Sequence, residues 1–368
     1  MKTLLSIITL SVFCAGAFAQ QHVTIHGKTK LLSNCRKVKI SGLPDALIKP
    51  DGSFEVSGNI KEPGIALIMT DSSGASSIWL ESGVYTLECK EIKMKDIQSV
   101  LMRTSKLIGP LDAMIYNDYG NAAYRGFGTY DPEDEKIPEP RIITEEQKVA
   151  IREKQKALAF HYVDSIIKKY PESKVLPNII RTSKYYTGDE GTKALIAKLS
   201  SAQQATEEIQ RLLKGLQRNS IIAKEGGFEK FSMKTADGKD FRLSDVKNKK
   251  LILIDFWASD CGPCRITHPR LIELYKKYAD RGLEIVSVSL DNDREKWLEA
   301  IKEDKISHWI NVSDLKNWES PLAKKYAVSF IPFRFLLDGN YNVLSHDDDG
   351  QIWVTAGTIE QEIKKQGW

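Results

Sequence analysis

A chain of 368 residues is too long for one ordinary domain, and its 42% hydrophobic and 28% charged residues are typical of a folded globular protein. Lysine and arginine exceed aspartate and glutamate only slightly, 53 against 49. This mild excess, without basic runs interleaved with aromatic residues, argues against nucleic acid as a partner.

The first nineteen residues have the pattern of a secretion signal. Lys2 supplies a positive charge, residues 4–13 form an apolar stretch, and residues 17–19 form the small-x-small cleavage site Ala-Phe-Ala. A lipid anchor at Cys14 is the alternative, but Phe13 stands where bacterial lipoprotein signals carry Gly, Ala or Ser. Later segments are too short to span a membrane. We therefore expect a periplasmic protein that is not membrane-spanning.

The region that follows the signal carries β signals up to residue 108. Apolar and polar residues alternate over 23–27 and 54–58, and the turn Lys49-Pro50-Asp51-Gly52 precedes the second of these runs. Short strands at turn-spaced intervals predict an all-β, sandwich-like N-terminal domain.

The middle of the chain, residues 109–221, is predicted to be an α-helical connector. A helix is expected from Thr144, because Thr144 and Gln147 fit the Thr-x-x-Gln form of a capping box. Helical patterns continue to about residue 216, and the charges of this block fit solvated helix faces.

Strand and helix patterns alternate from residue 222 to the C-terminus. The apolar run 251–257, interrupted only by Asp255, is typical of a central strand covered on both faces. A helix is expected from about residue 261 to 280, and a second buried strand over 283–290. These patterns predict an α/β domain with a mixed sheet. The predicted division is 1–19 signal peptide, 20–108 β-rich domain, 109–221 connector and 222–368 α/β domain.

The motif Cys261-Gly262-Pro263-Cys264 lies between that buried strand and that helix. A helix N-terminus favours negative charge, so the Cys261 thiolate is expected to be stabilised and reactive. Cys264, one helical turn later, can attack a mixed disulfide and release the substrate. Pro263 stiffens the first helical turn without removing a useful hydrogen-bond donor.

Two structural interpretations of this motif are weaker. A structural zinc site needs four ligands, and the sequence has no second close cysteine pair; His268, His308 and His346 lack matching metal partners. A purely structural disulfide across two intervening residues would close a very small loop and stabilise little. The motif therefore predicts redox chemistry at a Cys261–Cys264 disulfide, with no metal and no further cofactor.

The segment 253–264 is similar to the active-site segment of thioredoxins, and the wider pattern resembles the exported TlpA/ResA-like thioredoxin family. The resemblance covers about residues 222–368. It also rests on the predicted hairpin before the strand, Pro269, Ser287-Val288-Ser289-Leu290-Asp291, and Ile331-Pro332 followed by Phe333-Arg334-Phe335-Leu336-Leu337-Asp338-Gly339. The β-rich region resembles, more weakly, an N-terminal domain of unknown function often found before such thioredoxins.

The resemblance implies that Cys261 is the attacking nucleophile and Cys264 the resolving thiol. Asp255 matches a buried acid that accepts and returns the Cys264 proton, since burial raises the proton affinity of a carboxyl group. A strand-end carboxylate near solvent is the alternative. Pro332 matches a cis-proline that, with Ile331, presents backbone to an extended substrate. An ordinary trans-proline is the alternative there.

Three further residues are expected to face the substrate: Trp257, Gly262 and Pro263. Trp257 would look identical in the sequence if it were purely a core aromatic residue. The chain also departs from the family pattern, with Asp260 before the nucleophile in place of Trp, Thr267 in place of an active-site Glu, and Phe333 in place of Thr. These departures affect substrate choice and redox potential. The pattern upstream of a peroxiredoxin cysteine is missing, which argues against a peroxidase.

Cys35 and Cys89 lie in the two halves of the β-rich region. A structural disulfide is expected between them after export, while buried free thiols or a second redox pair are the alternatives.

Together these features predict an exported thiol–disulfide oxidoreductase that exchanges disulfides in extracytoplasmic proteins, in the reducing direction. A reductase would need a membrane-bound electron donor as a partner. A redox-inert scaffold that binds through the β-rich domain and a disulfide isomerase are the alternatives.

Overall fold

The structure is a computed structural model that describes residues 21–30, 36–70, 75–93, 100–128, 144–347 and 354–367. The predicted signal peptide, Cys14 and Cys35 lie outside the described residues. The chain divides into two compact units, Met1–Gly188 and Asp189–Trp368. No helix within the described ranges combines the length and the apolar character needed to cross a membrane.

Two four-stranded sheets dominate the first unit, with strand orders β4-β1-β7-β8 and β3-β2-β5-β6. In strand β1 the buried residues alternate with more exposed ones, so one face of its sheet is covered. This confirms the predicted β-rich N-terminal fold. The strands are β1 (Gln21–Lys30), β2 (Lys37–Ile40), β3 (Ala46–Leu47), β4 (Ser53–Ile60), β5 (Gly64–Thr70), β6 (Ser76–Leu80), β7 (Gly83–Lys93) and β8 (Val100–Ile108).

Three helices follow these strands: α1 (Leu111–Tyr124), α2 (Glu145–Lys169) and α3 (Leu176–Ile196). The predicted capping box starts α2, with the Gln147 N–H donating to Thr144 Oγ1 at 3.2 Å and the Thr144 N–H donating to Gln147 Oε1 at 2.9 Å. Within α3, Gly188 has φ 66° and ψ 179°, and the division between the two units falls there. The predicted domain boundaries at residues 108 and 221 stay predictions.

The second unit contains one mixed seven-stranded sheet in the order β10-β9-β13-β12-β11-β14-β15. Its central strand β11 is buried at all seven residues, runs parallel to β12 and pairs antiparallel with β14. The α/β thioredoxin-like fold class is confirmed. The elements are α4 (Ser201–Gln204), α5 (Glu207–Glu225), β9 (Ser232–Thr235), β10 (Asp240–Arg242), β11 (Leu251–Trp257), α6 (Gly262–Tyr278), β12 (Leu283–Ser289), α7 (Arg294–Glu303), β13 (Ile310–Ser313), α8 (Pro321–Lys325), β14 (Phe333–Asp338), β15 (Val343–His346) and α9 (Ala356–Lys365).

The two faces of β11 belong to different core layers. Leu253 and Trp257 pack in the layer that contains Cys261 and Cys264, whereas Ile254 and Phe256 pack in the opposite layer. Because successive side chains of a strand alternate between faces, Asp255 lies on the cysteine side. Strand β14 follows the same rule, with Leu336 on the cysteine side and Phe333 and Phe335 opposite. Arg334 therefore shares the face of Asp255.

Helix α5 belongs to the second unit, although it lies mostly before the predicted domain start at residue 222. Its buried residues include Leu212, Leu216 and Arg218. The fully buried Arg218 donates from Nε to the Tyr326 carbonyl at 2.7 Å and from Nη2 to the Ala327 carbonyl at 3.0 Å. Helix α5 is therefore hydrogen-bonded to the segment just after α8.

Candidate active site

The two cysteines of the motif are joined at the start of α6. Cys261 is the N-cap residue, and its sulfur is bonded to that of Cys264, with the two Cα atoms 5.3 Å apart. The Cys264 N–H donates to Cys261 Sγ at 3.2 Å. The Cys261 sulfur thus occupies the place of a capping oxygen, where backbone N–H groups and the helix dipole would stabilise a thiolate.

Solvent reaches the two sulfur-bearing residues unequally. Cys261 is 8% exposed and Cys264 is fully buried, whereas Gly262 and Pro263 between them are exposed. Of the two residues, only Cys261 therefore has surface that another protein could contact. The division into an attacking and a resolving sulfur stays a prediction.

The residues expected to face a substrate lie in different surroundings. The Ile331–Pro332 peptide bond is cis, as the resemblance implies, and both residues are half-buried. Trp257 is fully buried in the core layer of the two cysteines. A contribution of Trp257 to substrate binding would thus act through packing around the disulfide, and the substrate-binding roles stay predictions.

Asp255 is fully buried, which rules out the alternative of a strand-end carboxylate near solvent. Its partner is Arg334, which was not expected from the sequence: Arg334 Nε lies 2.7 Å from Asp255 Oδ1, and Arg334 is 5% exposed. The two residues face each other in the antiparallel register of β11 and β14. The predicted buried acid is therefore half of a buried ion pair.

The loop before Cys261 is held by a second buried acid. Asp291, which follows β12, accepts hydrogen bonds from the Ser259 N–H at 3.1 and 3.2 Å and from the Ser259 hydroxyl at 2.6 Å. Asp260 itself is exposed. The backbone leading to the nucleophile is thus fixed from β12, while the negative charge of Asp260 remains in solvent.

Comparisons with known proteins agree with this geometry. Residues 248–343 match a family model described as thioredoxin-like. The thiol-disulfide oxidoreductase ResA of Bacillus thuringiensis subsp. konkukian is 29% identical over 140 residues, which cover 37% of this chain and 73% of that protein. ResA of Bacillus subtilis is 29% identical over 133 residues, which cover 36% of this chain and 67% of that protein. The part of the chain around residues 248–343 is therefore a thioredoxin-like domain similar to that of the ResA proteins. The protein is a thioredoxin-like thiol–disulfide oxidoreductase.

Among solved structures, a thiol-disulfide oxidoreductase from Bacteroides fragilis is 30% identical, with a TM-score of 0.34, over 38% of this chain and 98% of that chain. The region matched by the family model lies wholly in the second unit.

Thr267 and Phe333, two of the residues that depart from the family pattern, lie on opposite sides of the sheet. Thr267 Oγ1 accepts a hydrogen bond from Arg334 Nη2 at 2.6 Å and donates to the Cys264 carbonyl at 2.7 Å. Phe333 is fully buried in the layer opposite the cysteines, with the Arg218 guanidinium 4.3 Å from its ring centre. Of these two departures, Thr267 is the one that lies on α6, the redox helix that begins at the cysteine pair.

A second buried cluster holds α6 against the end of α7. Asp304 Oδ2 lies 2.7 Å from Nδ1 of the fully buried His268, and Asp304 also pairs with Arg265, Nη2 to Oδ1, at 2.7 Å. The His268 ring packs edge-on against Trp257, with ring centres 5.0 Å apart. His268 thus ties the redox helix to the core. Its position one turn after Cys264, on the buried face of the helix, could have suggested this role.

The pairing of Cys35 with Cys89 stays a prediction, because Cys35 lies outside the described residues. Cys89 is buried, its sulfur lies 3.8 Å from Thr104 Oγ1, and burial raises the pKa of its thiol to about 12. At neutral pH such a thiol is a poor nucleophile.

A third buried acid contacts the Asp255–Arg334 pair. Asp347 is 1% exposed and accepts the Arg334 backbone N–H at 2.9 Å and the Val354 N–H. Burial raises the pKa of Asp347 to about 7, although these two N–H groups and the Arg334 charge oppose the rise. Asp347 therefore changes its charge near neutral pH.

Asp347→Asn is expected to flatten the pH dependence of stability between about pH 4 and pH 7. In this range the folded protein keeps the Asp347 proton that the unfolded chain releases, so the free energy of unfolding falls as pH rises, by at most about 1.4 kcal/mol per pH unit. Urea unfolding at pH 4.5, 6 and 7.5 measures this slope. The asparagine NH₂ cannot accept one of the two backbone hydrogen bonds that Asp347 accepts, so the variant is expected to be less stable at every pH. The quantity to compare is therefore the change in unfolding free energy with pH, not the unfolding free energy itself. Equal slopes in the two proteins would assign the pH dependence to other groups.

Proposed function

We propose that this protein is exported to the periplasm and reduces disulfides in extracytoplasmic proteins, with Cys261 as the nucleophile and Cys264 as the resolving thiol. The observation that carries the proposal is the unequal exposure of two bonded sulfurs at a helix N-terminus. Cys261, the less buried of the two, is also the residue whose thiolate the helix N-terminus would stabilise.

The reaction starts from the dithiol form of the enzyme. The Cys261 thiolate attacks one sulfur of a substrate disulfide, a mixed disulfide forms, and the other substrate sulfur leaves as a thiolate that takes up a proton. Cys264 then loses its proton and attacks Cys261 Sγ, which releases the second substrate thiol. The substrate gains two electrons and two protons, and the enzyme is left with the Cys261–Cys264 disulfide.

Asp255 is the proposed proton acceptor for Cys264. It is buried on the same face of β11 as the core layer of the two cysteines, and its Oδ2 has no hydrogen-bond partner among the described residues. Ile331 and the cis-proline Pro332 are proposed to pair with the backbone of an extended substrate. A membrane-bound donor is proposed to return the enzyme to its dithiol form, since each turnover consumes two electrons.

The scaffold hypothesis keeps one argument, the replacement of the family's Trp by the exposed Asp260. A charged, solvent-facing side chain next to Cys261 removes apolar surface that could bind a substrate. The scaffold and reductase hypotheses differ in whether the cysteine pair cycles between its two redox states.

A redox equilibrium measurement tests the function and its direction. The full chain without residues 1–19 is equilibrated with dithiothreitol or glutathione buffers, and the oxidised fraction of the Cys261–Cys264 peptide is measured after alkylation. We expect a reversible two-electron couple more reducing than about −200 mV, in the range of thioredoxins and glutaredoxins rather than that of strong oxidants.

Cys89→Ser is the matched control, and it should leave this couple unchanged because Cys89 lies in the first unit. A potential near −120 mV would indicate an oxidase instead of a reductase. The absence of any reversible couple would favour the scaffold.

A further inference from the structure

The Asp255–Arg334 pair extends from the central sheet to the redox helix. Arg334 Nε bonds Asp255 on β11, and Nη2 bonds Thr267 on α6, at 2.7 and 2.6 Å. The Thr267 hydroxyl in turn donates a hydrogen bond to the Cys264 carbonyl at 2.7 Å. One guanidinium thus links the buried acid to the helical turn that carries the resolving cysteine.

The remaining contacts of Arg334 fix it in place. Nη1 donates to the Val354 carbonyl at 3.3 Å, and the Arg334 backbone N–H donates to Asp347 Oδ2 at 2.9 Å. A planar guanidinium held by β11, α6 and the residue Val354 before α9 has little freedom to leave Asp255. The geometry of the pair is therefore imposed by the fold around it.

The charges explain why such a pair is needed beside a disulfide. A lone carboxylate buried at Asp255 would oppose the formation of a thiolate nearby, and it would also be costly to bury. Arg334 supplies the opposite charge at hydrogen-bond distance, and Thr267 is neutral. With both charged partners ionised, the cluster of Asp255, Arg334 and Thr267 carries no net charge, and Asp347, which accepts the Arg334 backbone N–H, adds a negative charge beside it only when it loses its proton.

We propose that Arg334 is a positioning residue for the exchange reaction, one that fixes Asp255 and cancels its charge so that the cysteine thiolates form beside a neutral pair. This inference rests on the proposed function of Cys261 and Cys264. It adds a residue outside the Cys-Gly-Pro-Cys motif that sets how easily the motif ionises.

Arg334→Met tests the inference, because methionine keeps much of the length of the side chain and removes its charge. The reduced protein is alkylated with iodoacetamide across pH 5 to 9, and modification is followed on the Cys261 peptide. We expect the rate at pH 7 to fall roughly five- to tenfold and the pH profile to move to higher pH, since an unpaired Asp255 carboxylate disfavours the thiolate.

Three companion variants separate charge from packing. Arg334→Lys should stay within about threefold of the wild-type rate, because it keeps the positive charge. Arg334→Met combined with Asp255→Asn should return to within about threefold of it, because both charges are removed. Arg270→Met, which changes an exposed arginine of the redox helix α6, should leave the profile unchanged.

If Arg334→Met fails to fold, a second variant still tests the inference. Asp255→Asn alone leaves Arg334 without its counter-charge, so it should raise the alkylation rate at pH 7 severalfold. A folded Arg334→Met protein with the wild-type pH profile, or an Asp255→Asn protein with no increase in rate, would overturn the inference. Both outcomes differ from failure of the proposed function, in which the unaltered protein itself lacks a reversible couple.

Discussion

Cys261→Ser is expected to abolish the reduction of insulin disulfides, a loss on the order of 10³-fold or more, because a serine hydroxyl stays protonated where the cysteine ionises. Cys264 cannot replace it, since Cys264 is fully buried and a protein disulfide cannot reach it. Cys264→Ser is expected to retain the first attack and to accumulate mixed disulfides through Cys261. Insulin turbidity measures the first effect, and non-reducing electrophoresis of extracts measures the second.

The control is Cys89→Ser, which changes a buried cysteine of the first unit and is expected to retain full activity. Full activity in Cys261→Ser would show that the nucleophile is misassigned. Loss of activity in Cys89→Ser would instead support the alternative of a second redox pair in the β-rich region. Identification of the proteins trapped on Cys264→Ser would name the substrates directly.

Much of the second unit follows from local sequence patterns. The apolar run at 251–257 becomes the fully buried central strand, and the hairpin predicted before that strand is formed by β9 and β10, which are joined through Asp237 and Gly238. The motif Cys261–Cys264 falls at the start of α6 as expected. These features depend on residues within one or two turns or strands of each other, which is the range that periodicity and capping patterns describe.

The ion-pair partner of Asp255 could not be predicted from such short-range sequence patterns. Arg334 is 79 positions away along the chain, and the two side chains meet only because β11 and β14 pair in one register. The sequence did hold a signal, since each residue is a charged interruption of an apolar strand. A charged side chain rarely stays buried without a partner, so two such interruptions in one sheet invite pairing.

The packing of helix α5 could not be read from the sequence either. Helix α5 has the pattern of an ordinary amphipathic helix, which does not reveal the domain that it packs against. Arg218 reads as one more solvated charge in such a pattern. In the structure it is fully buried and bonded to the carbonyl groups of Tyr326 and Ala327.

Arg218→Met is therefore expected to destabilise the second unit by about 3 kcal/mol, because two buried carbonyl groups lose a charged hydrogen-bond donor. For a unit of this size the melting temperature should fall by roughly 6 to 12 °C. The guanidinium also lies 4.3 Å from the Phe333 ring centre, so a cation–π contact is lost as well. Thermal unfolding of the oxidised chain, followed by tryptophan fluorescence, reports on this unit because six of the seven tryptophans lie after residue 189.

Arg211→Met provides the matched comparison on the same helix. Arg211 is exposed and pairs with Glu207 one turn earlier, and an exposed pair of this kind contributes at most about 0.5 kcal/mol. A large difference between the two variants would show that α5 stabilises the thioredoxin-like unit through its buried face, and that a shortened chain starting at residue 222 lacks part of that unit. Equal melting temperatures for the two variants would instead place the start of the unit after α5.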